Sequence, residues 1–305
     1  MKLEFGTGAR FARLRKNNAK ELINFAIESG IKSFDCGVNY GNWKSQPLLG
    51  NILKKYLRKN RSDFQISSKA GTHSKGLTHK KIFEATYIEE MILKSIYDLN
   101  CNFLDHFFLH GPTKKDLESP ELIKKLINLK ENGLIKNIGI NTHNIDLMRY
   151  VNKFLSKEID SVLIDYNLIQ NDREDIINEF YSNNISVKVG TVLCQGLLIN
   201  SPLEIVKRSL SPFYAARLVL SSNTRKLIKP SRIIRNYIRD NHWEQRNAIP
   251  LSFVLNNKNV LKIPIGMLSK ESIFNNINID KNPASKITTD SVLNWYKNER
   301  KNHDI

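Results

Sequence analysis

What most restricts the fold of this chain is an alternation kept from end to end: short runs of β character separated by segments with helical spacing. Strands are expected at Leu3–Thr7, Ile31–Asp35, Phe64–Ser68, Phe103–Leu109, Asn137–Asn141, Ser161–Asp165, Ile185–Val189 and Val260–Pro264. Amphipathic helical patterns fill the intervals, as in AKELINFAIES (19–29), QPLLGNILKKYL (46–57), YIEEMILKSIYDL (87–99) and ELIKKLINLKENG (121–133). The last puts Leu122, Leu126 and Leu129 on one face and stops at Gly133, a residue suited to a helix C-terminus. Eight β→α units without a linker predict an α/β fold, a (β/α)8 barrel forming one domain over residues 1–305. A doubly wound open sheet is the rival, but no G-x-G-x-x-G turn follows the first strand.

Bulk properties narrow the function classes. Lys and Arg number 47 against 30 Asp and Glu, a net charge of +17 that favours anionic partners such as phosphorylated cofactors or nucleotide-linked sugars. No zinc finger, RNA-binding sheet signature or basic zipper accompanies that charge, so no specific nucleic-acid partner is expected. No apolar run approaches the ~18 residues of a membrane span, and MKLEFGTGARF reads into a strand rather than a signal peptide. Three scattered cysteines (Cys36, Cys101, Cys194) make no disulfide framework, and a cytoplasmic protein is expected. Two stretches break the alternation: a basic insertion at 199–246 and a tail at 277–305, expected to carry one short amphipathic piece around Ser291–Tyr296. Within the insertion, 224–246 reads as an exposed amphipathic helix with Ile233, Ile234, Tyr237 and Ile238 inward. A basic wall beside an anionic substrate is the sharper reading. Nothing in the sequence sets the oligomeric state.

In a barrel, active sites lie at the C-terminal ends of the strands. Four such ends carry complementary chemistry: Asp35 and Tyr40 after the second strand, Lys69 after the third and His110 after the fourth. An ammonium beside a phenol stabilises the phenolate and lowers a pKa ordinarily near ~10, and a carboxylate keeps that ammonium charged. An imidazole can polarise a carbonyl or relay a proton. Each residue alone has an ordinary alternative: a turn Asp, a surface Tyr, a solvated rim Lys. His106 and His110 share one face of their strand, but no HExxH or His/Cys cluster supports a metal site, and none is expected.

These residues and their surroundings resemble the aldo-keto reductase family. FDCGVNYGNWKSQPLLG (34–50) is similar to that family's Asp-x4-Tyr-Gly segment, and SSKAG (67–71) to its lysine strand. SIYDLNCNFLDHFFLHGP (95–112) follows the approach to its histidine, and LKENGLIKNIGIN (129–141) its next helix-to-strand passage. DYNLI (165–169), LCQGLL (193–198) and IPIGMLSKESIFNN (263–276) fall in the same order. The resemblance implies NADP(H) or NAD(H) as cofactor, a small carbonyl substrate, and Tyr40 as proton donor assisted by Lys69, Asp35 and His110. It also implies cofactor contacts from Gly6, Thr7, Asn141, Thr142, Thr191, Leu193, Gly266, Ser269, Ser272 and Asn276. Leu163, Gly190 and Leu268 depart from the pattern, at positions where the family carries a glutamine, an aromatic or arginine, and a basic residue. Two other readings stay open: a non-redox barrel using Tyr40, Lys69 and His110 for proton transfer, and a cofactor sensor without turnover.

Overall fold

The computed structural model describes residues 1–8, 10–75, 78–209 and 221–303. Ten strands are described: β1 (Leu3–Gly6), β2 (Ser33–Asp35), β3 (Gln65–Ala70), β4 (Thr72–Lys75), β5 (Thr78–Lys81), β6 (His106–His110), β7 (Ile138–Thr142), β8 (Ser161–Asp165), β9 (Ser186–Gly190) and β10 (Val260–Ile265). Eight of them close a barrel in the order β1-β10-β9-β8-β7-β6-β3-β2, while β4 and β5 form a separate antiparallel pair. The expected barrel is therefore the observed one. The β4–β5 hairpin was not expected. The fourth strand begins three residues later than its apolar run suggested, because Leu104 makes only an isolated bridge to Ile135.

Side-chain alternation explains what fills the barrel. Glu4, Ser33, Ser67 and Lys188 bond to one another although β1, β3 and β9 are not neighbours in the wall, so these side chains point into the lumen. Their chain neighbours Phe5, Phe34, Ile66 and Val187 take the opposite face by the period of a strand, and all are buried. Farther round, His106 Nδ1 lies 3.2 Å from Ser161 Oγ, and the His106 ring stacks on Phe108 at 5.9 Å. Phe108 has room because β7 carries Gly139, where a Cβ would lie 2.3 Å from the Phe108 ring. The lumen thus holds a buried polar layer instead of the aliphatic layers usual for such barrels.

Helices cover the wall where the sequence placed them: Lys16–Glu28, Ser45–Lys59, Ala85–Asp98 and Pro120–Glu131. The last buries Leu122, Leu126 and Leu129. It ends in a Schellman motif, with Gly133 N–H on Lys130 O at 2.9 Å, Leu134 N–H on Leu129 O at 3.0 Å, and Gly133 at φ +74°.

By its contacts the chain divides into two compact units, residues 1–164, 175–190 and 259–277, and residues 165–174, 191–258 and 278–305. The barrel strands belong to the first, apart from the terminal Asp165 of β8. In the second, a helix at Ser222–Asn241 buries Ile234 and Ile238, with Ile233 and Tyr237 half-buried. This is the amphipathic reading of the insertion, although the helix ends at Asn241 rather than running to 246. Arg235 turns inward, donating to Leu197 O at 2.6 Å and Asn200 O at 3.1 Å. Residues 210–220 of the insertion lie outside the described residues. The tail is more ordered than expected: Lys286–His303 is a helix with Val292, Leu293 and Tyr296 buried, and Trp295 stacks on Tyr237 at 3.8 Å. Among the described residues no helix is long and apolar enough to cross a membrane.

Candidate active site

Asp35, Tyr40, Lys69 and His110 converge at one end of the barrel, and local chain geometry explains how. Past β2 the backbone keeps pairing with β3, through Cys36 N–H on Ser67 O and Val38 N–H on Lys69 O, both at 3.0 Å. That carries the chain over the lysine. At Gly37 a Cβ would sit 3.1 Å from the Lys69 stem and 3.2 Å from the Tyr40 ring, so glycine permits their close approach. Beyond Tyr40 three successive residues, Gly41, Asn42 and Trp43, have positive φ and reverse the chain into the helix Ser45–Lys59. Ser45 closes the turn, its N–H on Tyr40 O at 3.2 Å and its hydroxyl on Thr7 O at 2.6 Å.

The Lys69 ammonium donates to both Asp35 carboxylate oxygens at 2.7 Å and to Cys36 O at 2.9 Å. It lies 5.0 Å from the centroid of the Tyr40 ring, which meets the His110 ring edge-on at 6.2 Å. Burial opposes the charged form of Lys69, but the Asp35 carboxylate outweighs it and holds the lysine pKa above its ordinary value. Tyr40 differs from expectation. Burial of the phenol raises its pKa more than the charge and hydrogen bonding of Lys69 lower it, so the net shift is upward. His110 is pushed down to about 3 by burial, then by the positive charges of Lys69 and Lys81. It is a neutral imidazole at pH 7 and can bind or polarise an oxygen, but it is not an acid. Its Nδ1 is buried with no hydrogen-bond partner in the structure, which leaves the ring capacity for an incoming group.

The other residues expected at the site fall in several places. Gly6 and Gly266 approach each other across β1 and β10, where a Cβ on Gly6 would meet the Ile265 carbonyl carbon at 3.2 Å. Thr7 is fully buried, with both its N–H and its hydroxyl on Asp35 O at 2.9 Å, so it fixes the end of β2. Asn141 and Thr142 end β7, the Asn141 amide donating to Leu163 O at 2.9 Å. That bond uses the backbone of residue 163, so the leucine side chain does not disturb it. Leu163 and Gly190 are neighbours in the wall: Leu163 Cδ1 lies 3.7 Å from where a Gly190 Cβ would stand, an ordinary contact distance. Ser269 and Ser272 bond reciprocally at the start of the helix Lys270–Lys281, N–H to hydroxyl at 3.1 and 3.0 Å, and Asn276 sits half-buried on it. Leu268, just ahead, is half-buried. Thr191 and Leu193 belong to the second unit, where the Thr191 hydroxyl bonds the Asp165 carboxylate and Leu193 is half-buried. Among the described residues no group of three or more His, Cys, Asp or Glu is placed to hold a metal.

Sequence reasoning missed Lys81 and Thr72, which border His110. The signal was present: THSKGLTHKK repeats Thr-His-x-Lys on either side of a Gly-Leu pair, the spacing of a tight hairpin.

Comparison with known proteins agrees with this geometry. Residues 2–279 match the family model of the aldo/keto reductase family. The chain belongs to the aldo/keto reductase family. Among curated relatives, the uncharacterized oxidoreductase YqkF of Bacillus subtilis is 26% identical over 210 residues, 68% of this chain and 66% of that protein. D-arabinose 1-dehydrogenase of Saccharomyces cerevisiae is 26% identical over 60% of this chain and 55% of its own length. The matched stretch thus spans about half to two thirds of these relatives. Among solved structures, the aldo-keto reductase AKR11C1 from Bacillus halodurans in its holo form superposes with a TM-score of 0.76 at 17% identity, covering 97% of this chain and 91% of that one. At that identity the likeness establishes the barrel fold.

Proposed function

We propose that this protein is an NAD(P)H-dependent oxidoreductase that reduces an aldehyde or ketone to the alcohol, with Tyr40 giving the proton. One observation carries the reading: a lysine fixed by Asp35 and a backbone carbonyl lies against the ring of a rim tyrosine, beside a neutral histidine. Because Lys69 is held charged, a phenolate formed on Tyr40 has a cation beside it at the moment of proton transfer. The upward shift of Tyr40 keeps the phenol protonated until the carbonyl oxygen needs the proton. His110 holds that oxygen and orients it toward Tyr40.

The donor set suits a nicotinamide dinucleotide. Asn141 and Thr142 offer amide and hydroxyl groups for a carboxamide. The serine-capped start of Lys270–Lys281, with the exposed backbone at Gly266, suits a phosphate. Asn276 follows on the same helix. When bound there, such a dinucleotide would supply hydride-transfer chemistry. The names of relatives support this reading, including an NAD(P)H-dependent D-xylose reductase of Pachysolen tannophilus that is 26% identical over 40% of this chain.

The test has two parts. Tryptophan fluorescence should be quenched by NADPH or NADH, and the nicotinamide absorbance should fall when a panel of aldehydes and ketones is added. No quenching up to millimolar cofactor would sink the proposal. Quenching without turnover on any carbonyl would favour the cofactor-sensor reading.

A further inference from the structure

The β4–β5 hairpin leans on the candidate catalytic histidine. Thr72 and Lys81 face each other across it, and both bond the main chain of His110: Thr72 hydroxyl to His110 O at 2.9 Å, Lys81 ammonium to the same oxygen at 2.8 Å. Lys81 also donates to the Thr72 hydroxyl at 2.5 Å. These acceptors are neutral, and among the described residues no carboxylate forms a salt bridge with Lys81. The nearest acidic influence is Asp116, which is engaged in a capping box with Thr113. The ammonium can sit there because the residue after His110 is Gly111, at φ +69°, where a Cβ would lie 2.6 Å from Lys81 Nζ.

The opposite side of the hairpin is clamped. His73, whose side chain alternates with that of Thr72, meets the Trp43 ring at 5.1 Å and places Nδ1 3.2 Å from the Tyr87 hydroxyl. Trp43 stands three residues beyond Tyr40, so the hairpin is tied to the turn that carries the proposed proton donor. At its base, Ile82 N–H bonds Gly71 O at 2.9 Å, and Gly71, at φ +110°, leaves space for the Phe83 ring. Lys81 is therefore a fixed, solvent-reached cation one backbone carbonyl away from His110. The two lysines near His110 are unlike: Lys69 is cancelled by Asp35, whereas Lys81 is uncompensated.

We propose that Lys81 is the anion anchor of the substrate site, and that the preferred substrate is a carbonyl compound bearing a carboxylate or phosphate a short distance from the reacting carbon. This rests on the reductase reading for what happens to the carbonyl, but the anchor itself is a binding claim and can be tested without turnover. An ammonium with a donor to spare at the edge of a partly desolvated site gains a charge-assisted bond from an anion that a neutral substrate cannot make. The same cation depresses the pKa of His110 and so keeps that ring neutral.

The experiment compares para-carboxybenzaldehyde with para-carbamoylbenzaldehyde, a charged and a neutral substrate of nearly the same shape, in the full chain with NADPH. The ratio of their kcat/KM values should favour the carboxylate, fall at least ten-fold in Lys81→Met, and largely survive in Lys81→Arg. A purely structural role for the lysine would lower both rates and leave the ratio alone, and that result overturns the proposal. In parallel, titration calorimetry measures benzoate and benzamide binding to the same proteins. Benzoate should bind more tightly than benzamide, and the difference should vanish in Lys81→Met. If neither these aldehydes nor any carbonyl of the wider panel is turned over but the benzoate preference depends on Lys81, the anchor stands and the reductase reading falls. If benzoate and benzamide bind alike in the unaltered protein, the anchor is refuted whatever the enzyme does.

Discussion

Two lysines are buried in the lumen of this barrel, and the fold treats them in opposite ways. Lys188 is sealed: it donates to both Glu4 oxygens at 3.0 and 3.2 Å and to Ser67 at 2.7 Å, and both members of the ion pair are 0% exposed. Glu4 is completed by Ser33 at 2.9 Å and Ser67 at 3.2 Å. Lys69 is similarly paired with Asp35, but it lies under a rim tyrosine beside a histidine whose Nδ1 is unpaired. The first arrangement spends every hydrogen-bonding group on the protein, and the second leaves capacity at its edge. Burial with full satisfaction yields a structural element, whereas burial beside an unsatisfied rim yields a place for chemistry.

The largest effect that would break this contrast is on stability. Lys188→Met strands the Glu4 carboxylate in the lumen and should cost roughly 3–5 kcal/mol, read as a drop in the urea midpoint. Replacing both partners, Glu4→Leu with Lys188→Met, should recover most of that loss, because two apolar groups leave no buried charge. A single variant as stable as the parent would mean the pair is not the closed unit described. Next, Tyr40→Phe should lower turnover at least a hundred-fold, about 2.7 kcal/mol of barrier, with cofactor affinity and unfolding nearly unchanged. Retention of most activity would refute the proton-donor role and leave the rim without its proposed purpose.

A third effect concerns acid. His106 is held at about 2, first by burial and then by the charge of Lys188, and His110 at about 3. Both are neutral in the fold, while an unfolded chain protonates its histidines below pH ~6.5. Stability present above that value should therefore be lost as pH falls toward 3, by up to about 1.4 kcal/mol per pH unit for each ring. Glu4 adds to the loss at the acid end. Burial raises its pKa, but attraction to Lys188 prevails, so its net shift is downward, and its contribution fades as pH falls below ~4.3. A urea midpoint that stays flat between about pH 6.5 and 4.5 would contradict the neutral histidines, and His106→Leu should remove roughly half of the slope.

How much of this was legible in the sequence depends on the range of the interaction. The barrel was readable because alternating strand and helix periods are local, and Ser161–Asp165 was placed to the residue. Asp35, Tyr40, Lys69 and His110 were readable because barrel topology sends successive strand ends to one rim. The hairpin at Thr72–Lys81 escaped because each of its strands offers a single β-branched residue, Thr72 or Thr78, and no Val, Ile, Tyr, Phe or Trp among its polar side chains. That Leu163 and Gly190 adjoin was not legible either, because strand neighbours become apparent only when the barrel closes.

By itself, then, the sequence determined the alternation, the order of the strands and the residue types at the candidate site. Tertiary structure alone decided the partners and the charge states. Glu4 and Lys188 are 184 residues apart in the chain and meet only because the barrel closes. The upward shift of Tyr40, the neutrality of His110 and the placement of Lys81 beside Gly111 follow from burial and from distances of a few ångströms. A proton's free energy depends on the solvent and charges around it, and residue order does not encode these until the chain has folded.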